Sequence, residues 1–129
     1  MENFNKRNED FFNVVCKIQR EGVAGRPVSV HYAVRKAIGC EAPSFYLTRE
    51  HVWKRLHERR RRLPPKEKPH RRRMWEEIES ALKTRIAQHP GEDAWVALDH
   101  VLAHHRPSGF FITEEYARKL VYRMMRGKV

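Results

Sequence analysis

The sequence has little cysteine and no long apolar run. Cys16 and Cys40 are the only cysteines in 129 residues, too few for a disulfide-stabilised secreted fold. No segment approaches the roughly 18 consecutive apolar residues that a transmembrane helix needs. The first ten residues have no apolar stretch behind their charges, which predicts no secretory signal. These absences predict a cytoplasmic protein without membrane contact, in which Cys16 is a reduced, buried thiol.

The motifs of common enzyme classes are also missing from the sequence. It has no glycine-rich phosphate loop, nucleophile elbow or spaced set of carboxylates. His100 and His104 lie one helical turn apart beside Asp99 and His105, a spacing that can hold zinc. However, no Glu follows His100 as in a zinc protease, and no Cys pair is placed to complete the ligands. We therefore predict no enzymatic activity, no metal site and no cofactor.

Positive charge is in excess and concentrated in one stretch. The chain has 27 Lys and Arg against 16 Asp and Glu, a net charge of +11, which favours polyanionic partners. Residues 49–73 contain 12 Lys or Arg against three Glu, so +9 of this charge lies in a fifth of the chain. The predicted nucleic-acid-binding residues are these twelve: Arg49, Lys54, Arg55, Arg59, Arg60, Arg61, Arg62, Lys66, Lys68, Arg71, Arg72 and Arg73.

Two features distinguish this basic run from an ordinary solvated surface. Arg71, Arg72 and Arg73 lie at or before the start of a predicted helix, where positive charge opposes the helix dipole. Arg exceeds Lys by nine to three, and the planar guanidinium group matches phosphate. We therefore expect the run to bind the phosphate backbone of DNA or RNA. A solvated charge run, an acidic protein partner and a membrane surface are the alternatives.

An internal repeat organises the chain. Residues 28–48 align with residues 92–113 at an offset of 64, which becomes 65 after the extra Gly109. In this alignment Thr48 matches Thr113. The predicted organisation is one domain, 1–129, in two halves of about 3–62 and 70–126, joined by a basic proline-rich linker, 63–69.

Helical periodicity and capping residues predict an all-α fold of about six helices in two related three-helix units. The expected N-caps are Ser29, Thr48, Asp93 and Thr113. Pro64, Pro65 and Pro69 are expected to break the chain between the halves. The short aromatic segments 45–47 and 110–112 are expected either to pair as a two-stranded ribbon or to fill the gap between the helices they join.

Aromatic residues near the basic run offer a further way to bind nucleic acid. Tyr46, Trp53 and Trp75 could stack on unpaired bases, although we expect the two Trp side chains to be buried. The connection from Gly39 to Leu47 is longer than the turn of a helix-turn-helix motif. Sequence-specific readout is therefore not predicted.

Three stretches of the sequence carry a resemblance to known proteins. They are Ala42-Pro-Ser-Phe-Tyr-Leu-Thr48, the basic run into Met74-Trp-Glu-Glu-Ile78, and the ending Arg126-Gly-Lys128. Together they resemble small basic helical proteins encoded on phages and conjugative elements of gut anaerobic bacteria, in which an Ala-Pro-Arg-Phe-Tyr phrase precedes a helix. Ser44 stands in the place of that Arg. The resemblance implies a mobile-element protein of the bacterial cytoplasm and supplies no site residues.

The predicted last helix supports a different function, that of a protein-interaction module. Its apolar residues Leu120, Met124 and Met125 could dock a partner or form a homodimer, while the basic run engages an acidic protein. Exposure of these three side chains would favour this alternative over nucleic-acid binding.

Overall fold

The computed structural model describes residues 4–64 and 66–127, and over those residues it has six helices and no strand. The prediction of an all-α fold is therefore confirmed. In the same part of the chain, no helix is long and apolar enough to cross a bilayer. The helices are α1 (Phe4–Glu21), α2 (Val30–Ile38), α3 (Arg49–Arg59), α4 (Pro69–Gln88), α5 (Ala94–His104) and α6 (Glu114–Met125).

Four helices begin at the capping residues that the sequence predicts. The side chains of Ser29, Thr48, Asp93 and Thr113 each accept a hydrogen bond from a backbone N–H in the first turn of α2, α3, α5 and α6. These bonds satisfy donors that have no partner within the helix. The start of α4 differs from the prediction, because Pro69 opens the helix instead of breaking the chain. Proline is compatible with this first position, where its missing N–H would have no helical partner. Pro65 lies outside the described residues.

One compact unit, here called the central unit, consists of residues 44–107 and contains α3, α4 and α5. Helix α5 packs against both α3 and α4. Buried side chains come from every helix, among them Val52 on α3, Trp75 on α4 and Leu98 on α5. Burying apolar area of this kind is the main stabilising contribution to a small helical unit. The segment 63–69, expected as a linker between halves, lies inside this unit.

The other compact unit, the terminal unit, consists of residues 4–43 and 108–127 and contains α1, α2 and α6. All three helices pack against one another. The ring of Phe11 on α1 meets the edge of Phe110, with 5.2 Å between ring centroids and an interplanar angle of 78°. Gly109 passes so close to α2 that a Cβ atom would lie 2.9 Å from the carbonyl oxygen of Ile38. This close approach favours glycine at position 109, because any other residue would bring a Cβ atom against the Ile38 carbonyl oxygen.

Both cysteines lie in the terminal unit as free thiols. Cys16 is half-buried on α1, whereas full burial was expected. The Sγ atom of Cys40 lies 3.3 Å from the carbonyl oxygen of Lys36 and donates to it.

Of the two alternatives for segments 45–47 and 110–112, the two-stranded ribbon is not formed, since neither segment is a strand. Tyr46 has a φ of 60° and Phe111 a φ of 55°. These left-handed conformations interrupt an extended strand in the middle of each three-residue segment. Phe45, Tyr46 and Phe110 are buried, so the segments contribute side chains to packing rather than backbone to a sheet.

The two units do not coincide with the two halves of the sequence repeat. Helices α1 and α2 of the first half join α6 of the second half, whereas α4 and α5 join α3. The equivalent positions Thr48 and Thr113 have nearly the same backbone angles (φ −78°, ψ 151° and φ −76°, ψ 154°). The duplication itself stays a prediction.

Candidate nucleic-acid interface

All twelve predicted nucleic-acid-binding residues lie in the central unit, on α3, on the segment after it and at the start of α4. The rest of this unit is acidic, because residues 74–107 contain three Lys or Arg against six Asp or Glu. The net positive charge of the unit therefore comes from residues 49–73.

Two of the twelve cations, Arg55 and Arg59, are paired with carboxylates in an ion-pair network around the buried Glu67 side chain. Glu67 has a side chain that is only 5% exposed, and its Oε1 accepts a hydrogen bond from Nη1 of Arg59. Nε of Arg59 donates to Glu79 on α4. Arg55 lies 3.8 Å from Oε2 of Glu67 and 3.2 Å from Glu58. Because a buried charge is costly unless it is paired, these two arginines hold the turn between α3 and α4 in place.

Arg49 is also engaged within the central unit. Its Nη1 lies 3.4 Å from Asp99 on α5, and its guanidinium carbon lies 4.2 Å from the centroid of the Trp95 ring. Trp95 in turn meets the edge of Trp53 at 5.1 Å. Arg49 lies about 16 Å along α3 from Arg60, at 1.5 Å per residue. It stabilises the packing of α3 on α5 and is separated from the other cations.

Seven cations remain exposed between the end of α3 and the first turns of α4. None of them pairs with a carboxylate in the described part of the chain, although Nη2 of Arg72 donates to the backbone carbonyl of Glu67 at 3.4 Å. Lys54, in the middle of α3, is exposed as well, and Arg71 is half-buried. We call the seven together the basic surface: Arg60, Arg61, Arg62, Lys66, Lys68, Arg72 and Arg73.

A cavity of about 340 Å³ lies between α3, the connecting segment and the start of α4. Arg55 of α3, Lys66 and Lys68 of the connecting segment and Arg71 of α4 all line it. The remaining lining residues, His51, Glu67 and Trp75, were not predicted as site residues. No sequence signal identifies Glu67, because its role depends on the turn that carries it beneath α3.

The start of α4 adds a further positive feature to the basic surface. Its N-cap residue, Lys68, makes no side-chain capping hydrogen bond, and its first turn contains no acidic residue. The other N-caps described, on α2, α3, α5 and α6, all accept such a bond. The positive end of the α4 dipole therefore points to a region that already contains several cations, a combination that favours anions.

The aromatic residues near the basic run are mostly unavailable for stacking on bases. Trp75 is 1% exposed and Tyr46 is 8% exposed, so the expected burial of Trp75 is confirmed. Trp53 is only half-buried, and its ring already packs nearly at right angles against that of Trp95. The geometry of this surface thus suits contacts to phosphate better than contacts to bases.

The far end of the central unit contains an acidic and histidine-rich region. Arg85 and Glu92 form two parallel hydrogen bonds, at 2.9 Å and 2.8 Å, which connect α4 to the start of α5. Hydrogen bonding to Arg85 lowers the pKa of the Glu92 carboxyl below its usual value. The rings of His100 and His104 stack at 4.3 Å. Among residues 4–64 and 66–127, no three His, Cys, Asp or Glu side chains are grouped closely enough to hold a metal ion.

The apolar residues of α6 are not the exposed patch that the interaction alternative requires. Leu120 is 2% exposed and Met124 is half-buried, whereas Met125 is 53% exposed. Helix α6 packs against α1 and α2 within the terminal unit, and this packing explains the burial of Leu120. A single exposed methionine at the end of a helix is ordinary.

Comparison with known proteins gives no further information on this chain. No model of a known protein family matches it. Searches of curated proteins and of solved structures also find no significant match. The interpretation of the basic surface therefore rests on its own geometry and charge.

Proposed function

We propose that this protein is a non-enzymatic nucleic-acid-binding protein that contacts the phosphate backbone through the basic surface. The single observation that carries the proposal is the set of seven exposed cations at the α3–α4 turn, which lack carboxylate partners among the described residues. Arg60, Arg61 and Arg62 are consecutive in the chain, and Lys66 and Arg72 line one cavity. Like charges near one another repel, and a polyanion relieves that repulsion. The neighbouring Arg59 is paired with Glu67 and Glu79. One stretch of chain therefore contains both arginines paired within the fold and cations without a carboxylate partner.

The chemistry of the surface favours backbone contacts over base readout. Arginine forms two hydrogen bonds to phosphate, and the uncapped start of α4 attracts anions in the same region. Such contacts position a protein on nucleic acid without reading its sequence. Binding is therefore expected to depend weakly on sequence. From the resemblance of the Ala42–Thr48 phrase, we further propose that the protein is an accessory factor of a bacterial mobile element.

The proposal is tested by removing the same number of charges from two places. In one variant, Arg60, Arg61 and Arg62 are replaced with Gln. In the other, Lys17, Arg20 and Arg26 of the terminal unit, which are equally exposed, are replaced with Gln. Affinity for a short duplex of mixed sequence is measured at about 0.1 M salt. Each lost phosphate contact should cost close to tenfold through counterion release, so the first variant should bind about tenfold more weakly if it loses one contact and about 500-fold more weakly if it loses three.

The second variant should change affinity far less, because its charges lie outside the basic surface. Replacing Arg72 and Arg73 with Gln should also weaken binding, since both are exposed members of the basic surface and Arg72 lines a cavity with Lys66. Equal losses from both triple variants would indicate a diffuse electrostatic field instead of a site. Failure of the native protein to bind DNA or RNA at low salt would reject the proposal and favour the protein-interaction alternative.

A further inference from the structure

The terminal unit has a positive charge that is not apparent along the sequence. Its described residues, 4–43 and 108–127, contain 11 Lys or Arg against six Asp or Glu, a net charge of +5. Along the chain this excess is divided between two distant segments and is offset by the acidic residues 74–107. The fold brings the two segments into one unit, so the excess of positive charge lies on the surface of that unit.

The exposed side of α6 combines aromatic and cationic side chains. They line an open cavity of about 690 Å³. At about 100° per residue, their positions lie within an arc of about 120° on the helix. We call this set the tyrosine–arginine face: Tyr116, Lys119, Tyr122, Arg123 and Arg126.

Contacts from the neighbouring helices hold both tyrosine rings in place. The hydroxyl of Tyr122 lies 3.5 Å from Nε2 of His31 on α2, and the two rings meet edge to face. The hydroxyl of Tyr116 accepts a hydrogen bond at 3.3 Å from Arg7 on α1, and the guanidinium carbon of Arg7 lies over one face of the Tyr116 ring, 5.5 Å from its centroid. Both side chains nevertheless remain well exposed, Tyr116 at 37% and Tyr122 at 40%. Rings that are fixed but exposed lose little entropy when a ligand stacks on them.

The cations of this face are available to an anionic ligand. Arg123 is exposed and pairs with no carboxylate in the part of the chain that the structure describes. Arg126 is exposed as well, and its Nε donates to the backbone carbonyl of Tyr122 at 3.3 Å. Lys119 pairs with Glu115, but both side chains are more than 70% exposed, so solvent screens that pair strongly.

We infer that the tyrosine–arginine face binds single-stranded nucleic acid. Bases stack on Tyr122 and Tyr116 while Arg123 and Arg126 contact the phosphates, which is the combination that single-strand-binding surfaces use. A duplex keeps the faces of its bases stacked inside the helix, so this surface should prefer unpaired strands. The inference is independent of the basic surface, which lies on the other unit and lacks exposed aromatic rings.

The experiment replaces one ring and measures affinity for an oligothymidylate of about 12 nucleotides, a typical site size, and for a duplex of the same length. Tyr122→Leu should weaken single-strand binding about fivefold or more, as expected for the loss of one stacked base. Tyr122→Phe keeps the ring and should bind like the native protein. Tyr32→Leu is the matched control, because Tyr32 is an equally exposed tyrosine of the terminal unit with Lys36 near its ring, but it lies outside the cavity.

The cations are tested separately from the rings. Replacing Arg123 and Arg126 with Gln should make the salt dependence of single-strand binding shallower by a log–log slope of about 1.4, at 0.7 per contact. Replacing Lys17 and Arg20 with Gln should leave that slope unchanged. Far-UV circular dichroism of each variant verifies that the helices are intact.

The outcomes separate this inference from the proposed function. Equal losses with Tyr122→Leu and Tyr32→Leu, or an equal loss on duplex and single strand, would overturn it. So would failure of the native protein to bind oligothymidylate at low salt, even if duplex is bound. Binding of single strands that depends on Tyr122, with no binding of duplex, would support this inference and reject the basic surface as a duplex site.

Discussion

At the level of single residues, Glu67 separates the cations that stabilise the central unit from those left to solvent. Its carboxylate is buried beneath Arg55 and Arg59. The arginines directly after Arg59, which are Arg60, Arg61 and Arg62, have no carboxylate partner among the described residues. The geometry of the basic surface therefore depends on an acidic residue that does not belong to it. The main effect of replacing Glu67 should therefore be a less stable fold, and not the change in surface charge.

Replacing Glu67 with Gln should reduce the free energy of unfolding by about 2 kcal/mol or more, because it leaves Arg59 largely buried with one carboxylate fewer. Glu58→Gln is the control, since Glu58 pairs with Arg55 at a half-buried position, with side chains 26% and 27% exposed, and its loss should cost less, nearer the about 0–1 kcal/mol of surface pairs. Urea unfolding monitored by tryptophan fluorescence suits this test, since all three Trp residues lie in the central unit. Similar losses for the two variants would show that Glu67 has no special role.

The sequence identifies the basic run as a group but does not distinguish its members from one another. A count of charges treats Arg55, Arg59 and Arg60 alike. Only the turn after α3, which brings Glu67 and Glu79 close to Arg59, distinguishes a structural arginine from an exposed one. Such a distinction depends on tertiary contacts and cannot be obtained from spacing along the sequence.

At the level of elements, capping residues determine where the helices begin. Thr113→Ala and Thr48→Ala should each lower the free energy of unfolding by about 1 kcal/mol, because each removes the acceptor for a first-turn N–H. Thr84→Ala in the interior of α4 is the matched control and should be neutral or slightly stabilising, since alanine favours helices. Urea unfolding followed by circular dichroism measures all three. Losses no larger than that of the control would contradict the capping assignment.

The helices could be predicted from sequence because their signals are local. Ser29, Thr48, Asp93 and Thr113 mark helix starts by short-range hydrogen bonds, which need no knowledge of the fold. The ribbon prediction was wrong because it depended on backbone angles at Tyr46 and Phe111, and nothing in an aromatic three-residue segment reveals a positive φ. Pro69 was misassigned because a proline within a basic run can either end a structure or begin a helix.

At the scale of the whole molecule, the arrangement of charge follows from which helices share a unit. The repeat predicts that α6 belongs with α4 and α5, whereas α6 packs with α1 and α2. The tyrosine–arginine face was therefore missed. Each end of the chain has only a small excess of Lys and Arg over Asp and Glu, and the two add up only when both ends belong to one unit. An alignment of sequence halves shows which segments are alike but not which of them pack together.

The salt dependence of duplex binding by the native protein tests the central claim most directly. Affinity for a duplex of mixed sequence is measured between about 50 and 200 mM salt. If most of the seven cations of the basic surface neutralise phosphates, the log–log slope should be roughly −5 to −6, at 0.9 per contact. Replacing Arg60, Arg61 and Arg62 with Gln should make that slope shallower by about 2.7. A slope near zero, or one that this variant leaves unchanged, would contradict binding of the phosphate backbone by the basic surface.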